Sequence, residues 1–294
     1  MTTRLLLVGQ RDSVLDVVLD HPAVQLDCCI AIAGSHLERS ARQRGVRVRS
    51  FDKRDKSAAL AAIVGEPFDL LLSVGCPWLL PIAELRQKRP TARFANVHPS
   101  CLPRLRGNHP INGGILFNEP HIGATVHWMD EDFDTGPIVA QRCIERTSDL
   151  DLGLLYAVVR MLEAEATQAA LDTLAASGFA FEGTPQRGEP SYYTRRRSDR
   201  ECDAATVTSS ELIRRVRAFG VPTQGCIVRF ASGDSVVALD AEPIVNEYLH
   251  ERFAAAPAGS LLLRYDEHVL VRTCDGIVKL RLACQCCSSN VAPQ

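Results

Sequence analysis

The sequence has no long apolar run at its start, no excess of basic charge, no paired cysteine spacing and no glycine-rich turn after its first apolar segment. Each absence removes a class of protein. The run Leu5-Leu-Leu-Val8 is cut by Gly9, Gln10 and Arg11, well short of a signal-peptide core or a membrane span, so a cytoplasmic protein without a membrane partner is expected. Lys and Arg number 33 against 35 Asp and Glu, a net charge of −2, which leaves no broad basic surface for nucleic-acid phosphates. The 11 cysteines are odd in number and scattered from Cys28 to Cys287 without the spacing of a disulfide framework or a zinc site, so mostly buried, reduced, inert thiols and no metal are expected. The cluster Cys284-Gln-Cys286-Cys287 has only His268 as a nearby helper and reads as a strand end with incidental thiols. After the first run, Gly9-Gln-Arg-Asp12 holds one glycine, where a Gly-x-Gly-x-x-Gly turn would admit a dinucleotide pyrophosphate, and this argues against an NAD-dependent oxidoreductase.

What is present is ordinary globular composition, 46% hydrophobic and 23% charged, over 294 residues, enough for one medium and one smaller domain. Residues 5–8, 26–33, 46–48, 68–74 and 94–97 read as strands and 12–19, 36–44, 56–64 and 82–88 as helices. That alternation predicts an α/β fold with a doubly wound, mostly parallel, Rossmann-like sheet, its ligand sites at the carboxyl ends of the strands. A short helix over 110–118 and strands over 124–129 and 138–142 follow. Ser148 and Asp151 form a candidate capping box, and Leu152, Leu155, Tyr156, Val159 and Leu162 repeat at helical spacing, so a long helix to about Ala176 should lay this stripe on the sheet. The polar segment rich in Gly, Pro and Arg sets the expected boundaries: a catalytic domain over 1–182, a linker over 183–202, and a β-rich domain resembling an OB barrel over 203–294. In that last part Thr208 and Glu211 make a second capping box, with strands expected at 227–230, 236–239, 261–265, 269–272 and 278–282.

The stretch Phe94-Ala-Asn96-Val-His98-Pro-Ser100-Cys-Leu102-Pro103-Arg104-Leu-Arg106-Gly107 carries the chemistry. Asn96 and His98 are two apart, so on a strand they share a face, and Pro99, Pro103 and Gly107 end the strand and begin a loop there. A second loop, Met129-Asp130-Glu131-Asp132-Phe133-Asp134-Thr135-Gly136-Pro137, holds four acids between two expected strands. The pattern N-x-H-P-S-x-L-P-x-x-R-G, followed by G-x-T-V-H-x-M-x-x-x-x-D-T-G with Asp134 placed 36 positions after His98, resembles the 10-formyltetrahydrofolate-dependent formyltransferases. The likeness runs from about Asp69 to Gln141 and, more weakly, through the linker to the C-terminus.

The resemblance implies formyl transfer to an amine, an acyl transfer through a tetrahedral oxyanion that donors must meet. It implies that Asn96 and a protonated His98 do so, while Asp134 orients His98, favours its cation and accepts the proton of the attacking amine directly or through water. No covalent intermediate is required, and Ser100 and Cys101 are expected as loop residues. The donor 10-formyltetrahydrofolate is implied as cosubstrate, without a metal, held by Gly75, Cys76, Trp78, Leu79 and Leu80 and by Asp130 and Asp134. Gly75 and Pro77 equally suit a plain strand-to-helix turn. Arg104 and Arg106, with Ser100 beside them, are the candidates for holding an anionic acceptor, although a structural role suits Arg106 as well.

The acceptor is expected to be a small-molecule amine, a nucleotide-linked amino sugar first and a hydroxamate-precursor amine behind it. Ser191-Tyr-Tyr193 with Arg195-Arg-Arg197 resembles the amino-sugar members. Against tRNA stands the short passage Ala33-Gly-Ser-His36 into a helix, where tRNA-acting members carry a longer basic loop. From Ser191 to Gln294, moreover, about thirteen Lys and Arg face about twelve Asp and Glu, without the positive charge that a tRNA binder concentrates. A purine-pathway acceptor is disfavoured by the missing glycine-rich first turn. Hydrolysis of the donor and a non-catalytic folate-binding protein remain as alternatives, and a homodimer is the default expectation.

Overall fold

The computed structural model describes residues 2–283, and the Cys284, Cys286 and Cys287 cluster lies outside them. The chain divides into two compact units. The first comprises the chain up to Gly107, His121–Glu145 and Ala157–Tyr193, and the second comprises Asn108–Pro120, Arg146–Tyr156 and the chain from Thr194.

The first unit is built on seven strands: β1 (Thr3–Gly9), β2 (Val24–Ile32), β3 (Val48–Phe51), β4 (Leu70–Val74), β5 (Arg93–His98), β6 (His121–Trp128) and β7 (Ile138–Glu145). Their order is β3-β2-β1-β4-β5-β6-β7. The pairs up to β4–β5 are parallel, and β5–β6 and β6–β7 are antiparallel. The alternation of side chains along β1 explains the layering. Leu5 and Leu7 enter one apolar layer, with Leu37 and Ala41 of α2 (His36–Gln43), Leu15 and Val18 of α1 (Leu15–Asp20) and Leu162, Ala166 and Ala170 of a long later helix. Leu6 and Val8 enter the opposite layer, with Ala59, Ala62 and Ile63 of α3 (Lys56–Gly65) and Ile82 and Leu85 of α4 (Ile82–Lys88). With both faces covered, the central strands are apolar throughout, as a parallel sheet requires. Each fully buried leucine here contributes about 1.5–3 kcal/mol.

Strand order reverses between β1 and β4, so the crevice beyond their carboxyl ends is where ligands bind in such sheets. Gly75 (φ 60°) turns the chain there, and a Cβ on it would stand 3.0 Å from Arg11 Nε.

The second unit includes α5 (Pro110–Leu116) and the start of α6 (Leu152–Ala176). It continues with β8 (Glu201–Asp203), α7 (Ser209–Ala218), β9 (Cys226–Arg229), β10 (Ser235–Pro243), α8 (Glu247–Arg252), β11 (Leu261–Tyr265), β12 (His268–Arg272) and β13 (Ile277–Leu282). Its six strands pair in the order β11-β12-β13-β10-β9-β8, and among the described residues that order is open. The Thr208 side chain caps α7 by accepting from the Glu211 amide, as the sequence pattern requires.

Two expectations change. Asp151, not Ser148, caps α6, its Oδ1 accepting from the Leu154 amide at 2.8 Å. Leu152, Leu155 and Tyr156 belong to the second unit instead of lying on the sheet, because the Tyr156 hydroxyl donates to Asn112 Oδ1 and accepts from Gln224 Nε2. The short β8 and α8 have no counterpart among the expected elements; α8 owes its start to Asn246, whose side chain accepts from the Leu249 amide.

Candidate active site

Asn96 and His98 leave the same face of β5 near its carboxyl end, as their spacing requires, and converge on one carboxylate. Asn96 Nδ2 donates to Asp134 Oδ1 at 3.3 Å, and His98 Nδ1 stands 3.4 Å from Asp134 Oδ2. Asp134 sits in the loop between β6 and β7 in left-handed backbone conformation (φ 55°), which an aspartate tolerates better than most residues. The amide of Gly107 donates to its Oδ2 at 2.9 Å, so the loop after β5 grips the same carboxylate.

A fourth side chain joins them. His127 on β6 is paired across the sheet with Asn96 and is 2% exposed. Its Nδ1 lies 2.9 Å from the Trp128 carbonyl, so that nitrogen carries the hydrogen, and its Nε2 is 3.3 Å from Asn96 Nδ2 and 3.5 Å from Asp134 Oδ1. His127 lies within the second motif, yet nothing local to it assigns it a role. The missing signal is the antiparallel register that sets it opposite Asn96.

His98 is 3% exposed, and both its ring nitrogens face protein groups. Nε2 is 2.9 Å from the Leu105 carbonyl, which can only accept, so Nε2 donates. Nδ1 can then donate to Asp134 only in the cation. Burial pushes the His98 pKa down while the Asp134 charge and the Leu105 carbonyl oppose it, and the net direction is down. For Asp134, burial alone would raise the pKa. The charge of His98, the bond and charge of His127 and the Gly107 amide outweigh it and hold the carboxyl well below the usual range. Asp134 is therefore an anion at neutral pH.

The loop from Pro99 to Gly107 is fastened to β6 and β7. Thr125 Oγ1 donates to the Ser100 carbonyl, and Gln141 Nε2 donates to the Leu102 carbonyl and to Thr125. Cys101 and Cys143 form a disulfide, an exception to the mostly reduced thiols expected: the two are 42 positions apart and no spacing rule pairs them. Gly123, opposite Cys143 on β6, leaves room for the bridge, since a Cβ there would stand 2.6 Å from Cys101 Sγ.

The other expected site residues divide. Ser100 is 3% exposed and donates to the Arg104 carbonyl at 2.7 Å, a loop bond. Arg104 is exposed, with Nη1 3.5 Å from the Glu189 carbonyl. Arg106 is turned inward: its Nη1 donates to the Tyr192 hydroxyl at 2.7 Å and its Nη2 to Gln186 Oε1 at 2.6 Å. Trp78 and Leu80 are each 6% exposed within the apolar layer under β1, and the Trp78 indole donates to the Lys53 carbonyl. Leu79 is 53% exposed, and burial pushes the Cys76 thiol up to about 11. Asp130 accepts from Thr135 Oγ1 at 2.6 Å. Among the described residues no group of three or more His, Cys, Asp or Glu is placed to hold a metal ion, and no helix is long and apolar enough to cross a membrane.

Residues 36–171, which contain Asn96, His98, His127 and Asp134, match the family model described as formyl transferase. The domain that holds these four residues is of the formyl transferase family. A methionyl-tRNA formyltransferase of Chromohalobacter salexigens is 34% identical over 189 residues, 63% of this chain and 56% of that relative, so the chain matches little more than half of its length. A 4-N formyltransferase from Francisella tularensis has a TM-score of 0.63 at 24% identity, over 82% of this chain and 99% of that one. An N-formyltransferase from Helicobacter canadensis, in complex with folinic acid and dTDP-3-aminofucose, has a TM-score of 0.66 at 16% identity, over 96% of this chain and 99% of that one. At these identities the two structures speak for a shared fold.

Proposed function

We propose that this protein moves a formyl group from 10-formyltetrahydrofolate to the primary amine of a small molecule, a nucleotide-linked amino sugar before any other. The observation that carries the reading is the convergence of Asn96, His98 and His127 on the ionised Asp134 at the end of β5. The amine nitrogen attacks the formyl carbon, the carbonyl oxygen takes negative charge, and the carbon–nitrogen bond to the folate breaks as the oxyanion collapses. Asn96 Nδ2 is held by two long contacts of 3.3 Å and is the donor best able to turn to the oxyanion. Burial favours the neutral form of His98 over the expected cation, so its part is to hold the Asp134 loop against the loop after β5. Asp134 takes the proton that the attacking amine loses and returns it to the departing folate nitrogen, which leaves as tetrahydrofolate. The folate lies beside Gly75 and Leu79 at the switch point, with Asp130 at its edge, and exposed Arg104 is the guanidinium that faces an anionic acceptor.

The named sequence relatives favour a second reading, formylation of initiator methionyl-tRNA. The short entry into α2, capped by Ser35 directly before His36, supports the small acceptor instead. Incubating the protein and donor with separate pools of nucleotide-linked amino sugars, small amino metabolites and aminoacylated initiator tRNA, with mass detection, tests both. Formylated sugar or metabolite is expected. Formylation of tRNA alone would select the second reading, and donor loss without any formylated product would indicate hydrolysis.

A further inference from the structure

We propose that Gln186 is a positioning residue for the formyl-transfer site, clamping the Asp134 loop from the segment that composition alone marks as a connector. Its Nε2 donates both its hydrogens into that loop, to the carbonyl of Asp134 at 2.8 Å and to that of Gly136 at 2.9 Å. These are the carbonyls on either side of Thr135, so one side chain fixes the turn that holds Asp134 at positive φ. Such a conformation persists only where its surroundings over-determine it.

The amide is itself held in one orientation. Its Oε1 accepts from Arg106 Nη2 at 2.6 Å, so the oxygen and nitrogen of Gln186 cannot exchange without losing three bonds. Arg106 in turn donates to the Tyr192 hydroxyl at 2.7 Å and lies against the Tyr192 ring. The segment around Gln186 is sewn to the loop after β5: the Arg106 amide donates to the Ser191 carbonyl, the Tyr193 amide to the Arg106 carbonyl, and the Leu105 amide to Ser191 Oγ. That loop supplies the Leu105 carbonyl to His98 and the Gly107 amide to Asp134. Through Arg106 and Gln186, the two loops that orient His98 and Asp134 are thus held to one another. This explains why Arg106 is 9% exposed and spends its guanidinium on internal partners.

The proposal rests on Asp134 as the proton acceptor, and two readouts separate the clamp from that reading. Gln186→Met keeps the length and loses the bonds. Hydrogen exchange at the Gly107 amide reports whether the Asp134 carboxylate stays in place, whatever reaction is catalysed. In Gln186→Met that amide is expected to exchange about tenfold faster, as in Asp134→Ala, with the amides of β1 unchanged. Turnover is expected to fall about tenfold while KM for the folate donor stays within about twofold. Arg106→Lys, which keeps the charge and loses the fork, is expected to move both readouts in the same direction, and serves should Gln186→Met fail to fold. Unchanged Gly107 exchange in either folded variant would overturn the clamp. Faster Gly107 exchange in the variants of a protein that shows no formyl transfer would instead remove the catalytic reading and leave the clamp standing.

Discussion

His98 Nδ1 stands 3.4 Å from Asp134 Oδ2 while Nε2 of the same ring donates to the Leu105 carbonyl at 2.9 Å. One ring thus joins the acidic loop after β6 to the loop after β5, and it bonds to both only when doubly protonated. The arrangement couples the charge of His98 to the position of Asp134. His98 and Asp134 each keep one bond of 2.9 Å, whereas the Asn96 amide nitrogen is held by two contacts of 3.3 Å that can exchange for a substrate oxygen.

Asn96→Ala and His98→Ala are each expected to lower turnover by at least about a hundredfold, the scale of losing one oxyanion donor or one acid–base partner. The losses should not add, because Asn96 and His98 address the same Asp134 and act as a unit. Steady-state rates of the two single variants and the double variant check this. A double variant whose loss equals the product of the single losses would show that the residues act independently.

Acidification should unfold the protein in two stages. His98 has its pKa lowered by burial, so the unfolded chain binds a proton more readily. Its stabilising contribution is complete above the ordinary imidazole pKa of about 6.5 and is lost as the pH falls below that value. Asp134 has a lowered pKa, so its contribution is present above about 3.9 and is lost only on further acidification. Melting temperatures measured from pH 8 to pH 3 on the wild type, His98→Gln and Asp134→Asn separate the stages. The advantage of the wild type over Asp134→Asn should hold down to about pH 4 and shrink below it.

Much of this was legible in the sequence because it depends on local pattern. The period of two sets Asn96 beside His98, and the continuous apolar runs of β1 and β4 announce strands covered on both faces. What escaped depends on contacts between distant segments. His127 joins the site through a register, Asn96 opposite His127, that no local pattern encodes. Gln186 lies in a stretch of Gly, Pro and Arg whose composition suggests a connector, and only the folded chain brings it to Asp134. Arg106, a candidate acceptor ligand by residue type, is occupied by Tyr192 and Gln186, which lie 86 and 80 positions away.

Reducing the Cys101–Cys143 bridge should lower stability by about 2–4 kcal/mol, the chain-entropy scale for a closed loop of this length. Thermal melts with and without a dithiol reductant check this, against a Cys101→Ser, Cys143→Ser variant that should not respond to reductant. The bridge is open to reductant, because Cys143 is exposed on the edge strand β7. Two free thiols at these positions in oxidised, native protein, counted by alkylation and mass, would refute the pairing.

The most direct measurement is turnover of Asp134→Asn at saturating donor and acceptor, with folding verified by its melting temperature at neutral pH. Asparagine keeps the shape and removes the charge that stands against His98 and that the proposed mechanism uses to take the amine proton. A fall of at least about a hundredfold is expected. A folded Asp134→Asn enzyme with turnover near that of the wild type would refute the assignment of Asp134, and with it the proposed chemistry of the site.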